Sequence, residues 1–388
     1  MSPKSKKEYL SIIAPRFKKS SRKQKSAILD EFCNVYRCHR KHAIRILYKH
    51  KRFIKPKYHK RGRKPIYDKN ALIPILKKIW LDSYQPCSKL LKAAIPIWLP
   101  SYIQSFGDIP QHIVEQMLAI SPSTIDRFLA STRSKLSKHG RSTTKPGSLL
   151  KNQIPIKTNQ WDESKPGFLE ADTVAHCGDS TQGQYALTIN LVDIATTWSE
   201  QRAVWGKGES GVLEQIQDAE TYFPFQILGF DSDNGSEFIN WHLFRHFTEK
   251  KQPVQFTRSR PYQKNDNAHV EQKNWTHVRQ WLGYDRFENP DIPTLLNKLY
   301  KNEWRLFHNF FCPSVKLIKK QRVNSKIIKL HDKPKTPFQR VFESTYISNE
   351  TKSTLKEQFD TLNPFELRKC IEKKLKKIFQ QSLLKSEL

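Results

Sequence analysis

Charge is distributed unevenly along this chain, and that distribution limits what each part can be. Residues 1–68 carry 22 Lys and Arg against 4 Asp and Glu, and residues 69–160 carry 13 against 4. Residues 161–286 reverse the sign, with 12 against 18, before residues 287–388 return to 21 against 11. The net charge is +31 over 388 residues. Basic segments of this density attract a polyanion by releasing its counterions. The acidic segment is poorly suited to phosphates by itself, unless bound divalent cations invert the local sign. That alternation suits an enzyme acting on a nucleic acid better than a protein that only binds one.

The chain reads as multidomain. Over 22–50, Ala27, Ile28, Phe32 and Val35 share one helical face, and Ala43, Ile44 and Leu47 share another. The second helix carries Arg40, Lys41, Arg45 and Lys49 on its remaining faces, a helix-turn-helix pattern with a basic second helix. This defines an N-terminal all-α DNA-binding domain over 1–60. A basic linker follows over 61–68, where Arg61-Gly62-Arg63-Lys64-Pro65 resembles an AT-hook core or is a plain charged connection. Residues 69–138 read as a second helical domain. There Ser121-Pro122 is a helix start and Ile125, Phe128, Leu129 and Leu136 form a stripe. It is either a second helix-turn-helix with Arg127 and Arg133 outward or a helical spacer. Residues 139–165 form a second linker.

From Gly167 the apolar period changes from helical to alternating, with Phe168, Glu170, Asp172 and Val174 opposite Leu169, Ala171, Thr173 and Ala175. Further strands are expected over 184–194, 197–204, 225–230 and 254–258, with helices over 211–222, 236–250 and 266–282. Three adjacent strands followed by alternating helices and strands predict a central α/β domain over 166–286, a mixed sheet flanked by helices. The region 287–388 is small and basic, and its fold stays open. Trp304, Phe307, Phe310 and Phe311 suit a small core, and the basic residues around Lys316–Lys335 suit DNA backbone contact. No apolar run approaches the roughly 18 residues of a membrane helix, and the N-terminus lacks a signal-peptide core, so a cytoplasmic protein is expected. Cys33, Cys38, His39 and His42 lack zinc-ligand spacing, and no C-x-x-C pair occurs.

Three acids stand at chemically useful places. Asp172 lies in the first strand, Asp233 just past the fourth in Asp231-Ser232-Asp233-Asn234-Gly235, and Glu271 in the last helix. In-line displacement at phosphorus needs both the attacking and the leaving oxygen stabilised, which two Mg²⁺ ions do. Such hard cations take carboxylate ligands. Three carboxylates close together without metal would repel one another. Asp231 competes with Asp233 for the second position. Glu170, Asp193 and Glu237 read as structural or supporting acids.

These motifs carry a resemblance. The stretch from Glu170 to Arg286 is similar to the catalytic core of DDE-type bacterial insertion-sequence transposases, relatives of retroviral integrases. Asp233-Asn234-Gly235-Ser236-Glu237-Phe238 resembles the family's Asp-Asn-Gly-x-Glu-Phe signature, and Arg258 to Glu271 resembles the loop and helix that deliver the third acid. Leu191-Val192-Asp193 with Thr197-Trp198 resembles its second and third strands. The resemblance implies a ribonuclease H-like fold with Asp172, Asp233 and Glu271 as catalytic metal ligands for two Mg²⁺ ions, Mn²⁺ substituting. It also implies binding to transposon terminal inverted repeats and target DNA, DNA cleavage and strand transfer, and a homo-oligomer on paired ends. A bacterial transposase would be associated with the nucleoid while acting. The chain departs from the family at Val278, seven positions after Glu271, where many relatives have a basic residue. Lys273 and Arg279 share that DNA-holding role instead, with Lys264 in the preceding loop. The polar loop 260–267 is expected to be mobile without DNA, leaving Glu271 imperfectly placed until the ends bind. A domesticated or inactive DNA-binding protein and a ribonuclease H-like nuclease remain the rival readings.

Overall fold

The computed structural model describes residues 1–49, 66–136, 164–232, 237–238, 240–258, 268–323 and 325–383. The chain divides into two compact units, Met1–Ile66 and Tyr67–Leu388. Arg61, Arg63, Asp233, Lys264, the loop 260–267 and nearly all of the second expected linker lie outside the described residues.

Among its described residues the first unit has three helices: α1 (Pro3–Lys19), α2 (Arg22–Tyr36) and α3 (Arg40–Lys49). Ser2 caps α1, accepting from the Ser5 amide at 3.1 Å. A reciprocal Ser21–Gln24 capping box starts α2, and Arg37 ends it in the left-handed region at φ 50. The core is Ile13, Ala14, Phe17, Ile28, Leu29, Phe32, Ala43 and Leu47. Two features differ from the sequence expectation. The added helix α1 covers the neighbouring stripe of α2, so Leu29 is buried while Ala27 and Val35 are exposed. Ile44 is likewise exposed on α3.

The second unit opens with α4 (Lys69–Asp82), α5 (Ser88–Phe106), α6 (Gln111–Ala119) and α7 (Pro122–Leu136). Ser121 caps α7 as expected, its hydroxyl accepting from the Thr124 amide at 3.2 Å. These helices pack on the C-terminal region rather than standing alone. Trp98 is fully buried, lies edge-on to Phe307, Phe311 and Phe365, and donates its indole N–H to the Phe311 carbonyl at 3.0 Å.

The sheet comprises β1 (Phe168–Ala175), β2 (Ala186–Asp193), β3 (Ser199–Trp205), β4 (Gly229–Ser232) and β5 (Gln255–Arg258), in the order β3-β2-β1-β4-β5. The pairs β1·β2 and β2·β3 are antiparallel, whereas β1·β4 and β4·β5 are parallel. The mixed sheet flanked by helices expected from the sequence is therefore present. Helix α8 (Glu209–Glu220) links β3 to β4, and α9 (Trp241–Thr248) links β4 to β5. β2 is buried at every position because both faces of the sheet are covered. After β5 the chain runs through α10 (Ala268–Lys273), a π-helical turn (Asn274–Arg279) and α11 (Gln280–Leu282).

The C-terminal region has α12 (Ile292–Leu299), a second π-turn (Tyr300–Trp304), α13 (Arg305–Phe311), a hairpin of β6 (Leu317–Val323) and β7 (Lys326–His331), then α14 (Pro337–Glu343), α15 (Asn349–Thr361) and α16 (Pro364–Leu383). It closes the sheet edge. An edge strand exposes unpaired backbone groups, and β3 has them filled by side-chain amides. Asn309 accepts from the Ser199 amide at 3.0 Å and donates to the Ser199 carbonyl at 2.9 Å. Asn297 treats Ala203 the same way, at 2.7 and 2.8 Å. Between them the Gln201 carbonyl accepts from Arg202 at 2.7 Å. Arg305 donates to buried Glu200 at 3.0 Å, and burial raises the pKa of that carboxyl against the pull of Arg305 and Arg202.

Asn309→Leu strands two buried backbone groups, each costing about 1–3 kcal/mol. Urea unfolding should show a loss of roughly 2–6 kcal/mol on that basis. Exposed Asn302, which bonds only within its own helix, should tolerate alanine with little change. Equal effects at the two positions would refute the edge-closing role.

Candidate active site

Two rows of polar side chains cross the sheet. Register sets Gln201 beside Asn190, and Asn190 beside Asp172. Two residues earlier in β1, Glu170 pairs with Asp231, and Asp231 with Thr257. Side chains alternate with period two along a strand, so Glu170 and Asp172 share one face.

The first row is a directed chain of hydrogen bonds. Gln201 Nε2 donates to Asn190 Oδ1 at 2.8 Å, Asn190 Nδ2 to Asn274 Oδ1 at 2.9 Å, and Asn274 Nδ2 to Asp172 Oδ2 at 2.6 Å. The direction follows from chemistry. An ionised carboxylate only accepts, so Asn274 must turn its NH₂ to Asp172 and its oxygen to Asn190. Asn190 and Gln201 are fully buried, so water does not compete for these bonds. Asp172 Oδ1 also accepts from the Thr173 amide at 2.7 Å.

Asn274 opens the π-turn that follows α10, a distortion that recurs at functional sites. Glu271 lies three residues earlier, and residues at that spacing are neighbours on a helix surface. The bond from Asn274 to Asp172 therefore turns the Glu271 face of the helix toward Asp172. Glu271 itself is exposed.

The second row anchors the start of that helix. Buried Glu170 accepts from the His269 and Val270 amides, both at 3.0 Å. A carboxylate at a helix N-terminus satisfies orphan amides and complements the helix dipole. β1 thus grips the Glu271 helix twice, through Glu170 at its first turn and Asp172 at Asn274. Buried Asp231 accepts from the Thr257 hydroxyl at 2.6 Å, on the side of the sheet's parallel strands.

Asp233 is not described, but its flanks are. Ser232 ends β4 fully buried. Beyond it, buried Glu237 accepts from the Thr173 hydroxyl at 3.0 Å, and Phe238 packs beside Phe230 with ring centroids 6.3 Å apart. Among the described residues no three His, Cys, Asp or Glu side chains are grouped to hold a metal, and Cys33, Cys38, His39 and His42 form no such group. Asp172 and Glu271 are hard oxygen donors of the kind a divalent cation takes. Buried Asp193 is structural: it accepts from the Gly167 and Thr196 amides, each at 2.7 Å, and burial pushes its pKa up to about 6.

The expected DNA-contacting cations separate. Lys41, Arg45 and Lys49 are exposed on α3, whereas Arg40 is tied to Asp30 and to Ser26 at 2.7 Å. Arg127 is exposed; Arg133 is held by Asp126 at 2.5 Å and lies over Trp80. Arg279 donates to the Ala175 carbonyl at 2.7 Å and covers Tyr284, fastening the helix to the end of β1. Lys273 corrects the expectation outright. Its side chain is buried beside His277 at 3.2 Å, and burial pushes its pKa down to about 8. A DNA phosphate cannot reach it there, and the neighbouring Trp275 is the exposed side chain instead.

Sequence reasoning assigned no role to Asn190, Gln201 or Asn274. The available signal was a pair of amides, Asn190 and Gln201, inside otherwise strand-like runs. Glu170→Ala removes the acceptor for two helix-start amides. Hydrogen exchange over residues 268–273 should quicken on the order of tenfold, matching about 1 kcal/mol for a lost cap. Unchanged exchange would show that α10 does not depend on Glu170.

No family model matches the chain. It is 34% identical over 336 residues to a protein of Sinorhizobium fredii (strain NBRC 101917 / NGR234) described as the uncharacterized protein y4rM, covering 86% of this chain and 94% of that relative. The chain belongs to the y4rM family. Among solved structures it is similar to a chain of the simian T-cell lymphotropic virus intasome in complex with PP2A regulatory subunit B56 gamma, with a TM-score of 0.32 at 12% identity over 62% of this chain and 73% of that one. It is also similar to the catalytic core domain of BIV integrase, with a TM-score of 0.26 at 12% identity over 45% of this chain and 91% of that one. Superpositions this loose add nothing to what the strand order and the site show.

Proposed function

We propose that this chain is a DDE-type DNA transposase that binds the ends of its element, cleaves them and joins the freed 3′-hydroxyls to target DNA. The observation that supports the reading most is the bond from Asn274, three residues after Glu271 on the same helical segment, to the Asp172 carboxylate of the central strand. The strand order β3-β2-β1-β4-β5, three antiparallel strands and then two parallel ones, supports a ribonuclease H-like core.

Asp172, Glu271 and Asp233 would hold Mg²⁺, with Mn²⁺ as a substitute. Two such ions, when bound, stabilise the attacking and leaving oxygens of an in-line displacement. The chain's own groups do the positioning. Asn274 fixes the rotation of the Asp172 carboxylate, and Glu170 holds the first turn of the Glu271 helix. Water and then the 3′-hydroxyl are the nucleophiles, so no side chain forms a covalent intermediate. Exposed Lys41, Arg45 and Lys49 on α3 would bind the terminal repeats. The protein would act as a homo-oligomer on paired ends, in the bacterial cytoplasm at the nucleoid. Among the described residues no helix is long and apolar enough to cross a membrane.

Asp172→Asn, Asp233→Asn and Glu271→Gln should each reduce Mg²⁺-dependent cleavage of end DNA to background while leaving gel-shift affinity intact. An active Asp233→Asn beside a dead Asp231→Asn would move the second ligand to Asp231. Activity in all three variants would defeat the reading.

A further inference from the structure

The hairpin of β6 and β7 is exposed to solvent, while its root is locked. Every described side chain from Leu317 to His331 is exposed, with Ile318 at 63% and Ile328 and Leu330 each at 55%. Among the described residues the two strands pair only with each other. At the root, Ser314 and Lys335 exchange backbone hydrogen bonds of 2.9 and 3.1 Å, and the Lys316 amide donates to Asp332 at 2.7 Å. Arg340 pairs with Asp332 and donates to the Ser314 carbonyl at 2.9 Å. Lys316 Nζ donates to the Ala195 carbonyl at 3.0 Å, and the Thr197 and Ser314 hydroxyls meet at 3.1 Å, fixing the root to the β2–β3 turn. A free two-stranded ribbon is marginal in water, so this one is held out by its root.

Register separates its faces. Arg322 stands opposite Ile327 on one face, with Lys329 two residues further along β7 on that face; Gln321 stands opposite Ile328, and Lys319 opposite Leu330, on the other. Residues 317–331 contain five Lys and Arg and no acid. Cations crowded without acids on a two-stranded ribbon repel one another, and a polyanion relieves that repulsion.

We propose that the face bearing Arg322 and Lys329 binds duplex DNA, with the ribbon lying along the major groove and its cations on the phosphates. The proposal rests on the reading of the chain as a DNA-processing enzyme. A major groove about 12 Å wide admits a two-stranded ribbon, and Ile327 among the cations suits a thymine methyl. Pairing with a second copy is disfavoured, since lysines along an edge oppose strand addition.

The test is fluorescence anisotropy of the full chain on a mixed-sequence duplex, without divalent metal, across a range of salt. The double variant Arg322→Ala/Lys329→Ala should bind on the order of tenfold more weakly. Its plot of log affinity against log salt should be shallower by about 2, near 0.9 for each phosphate that is no longer neutralised. The opposite-face variant Gln321→Ala/Ile328→Ser should match wild type in both respects. A double variant with unchanged affinity and slope overturns the proposal, as does weakened binding confined to the opposite-face variant. A changed molar mass in light scattering with unchanged DNA affinity also overturns it and makes the ribbon an interface between copies. A wild-type chain that binds no duplex overturns the transposase reading as well, whereas wild-type binding with an unaffected double variant removes the ribbon alone.

Discussion

The site depends on a hydrogen bond 2.6 Å long between the Asn274 amide and the Asp172 carboxylate. Bonds to a charged acceptor contribute about 1.5–3 kcal/mol, more than neutral ones. This bond does more than add stability, because its donor sits on the helix that carries Glu271. It ties the helical segment that carries Glu271 to the strand that carries Asp172. Glu170 adds a second grip one row away, so neither end of the helix segment is left to set its own direction.

That bond is specific because the row behind it is dry. Asn190 and Gln201 orient Asn274 only if water is kept from their amides, and β3 is an edge strand by topology. The C-terminal helices remove that weakness by placing Asn297 and Asn309 against its open backbone. A region whose fold the sequence left open is thus a structural support for the site. Trp98 carries the same support to α5, so helices 69–136 brace the sheet through α13 and α16.

Much of this was legible in the sequence where a physical signal was local. The change of apolar period at Gly167 marked β1, and the acids at Asp172 and Glu271 fell on strand and helix as expected. The fourth strand, expected over 225–230, runs instead over Gly229–Ser232. Signals that depend on a third element were not legible. The stripe on α2 moved to include Leu29 because α1 covers it. Lys273 lies inside at the end of α10, and the Trp275 indole lies outside in the π-turn that follows, a change of helical period with no sequence signature. The amides of Asn190 and Gln201 look like ordinary polar interruptions until register aligns them with Asp172. In the C-terminal region, Trp304, Phe307, Phe310 and Phe311 were correctly read as core, but Phe307 and Phe311 pack on Trp98, more than two hundred residues earlier, and Phe310 on Trp198 of the sheet.

The central claim is that Asp172 is a metal-holding carboxylate oriented by this buried row. Cleavage of end DNA by Asp172→Cys in Mg²⁺ and in Mn²⁺ tests it most directly, because a thiolate is too soft a ligand for Mg²⁺. The predicted result is that wild type cuts in either metal, while Asp172→Cys is silent in Mg²⁺ and recovers part of its activity in Mn²⁺. Equal cutting by Asp172→Cys and wild type in Mg²⁺, or cutting by wild type in excess EDTA, would contradict it.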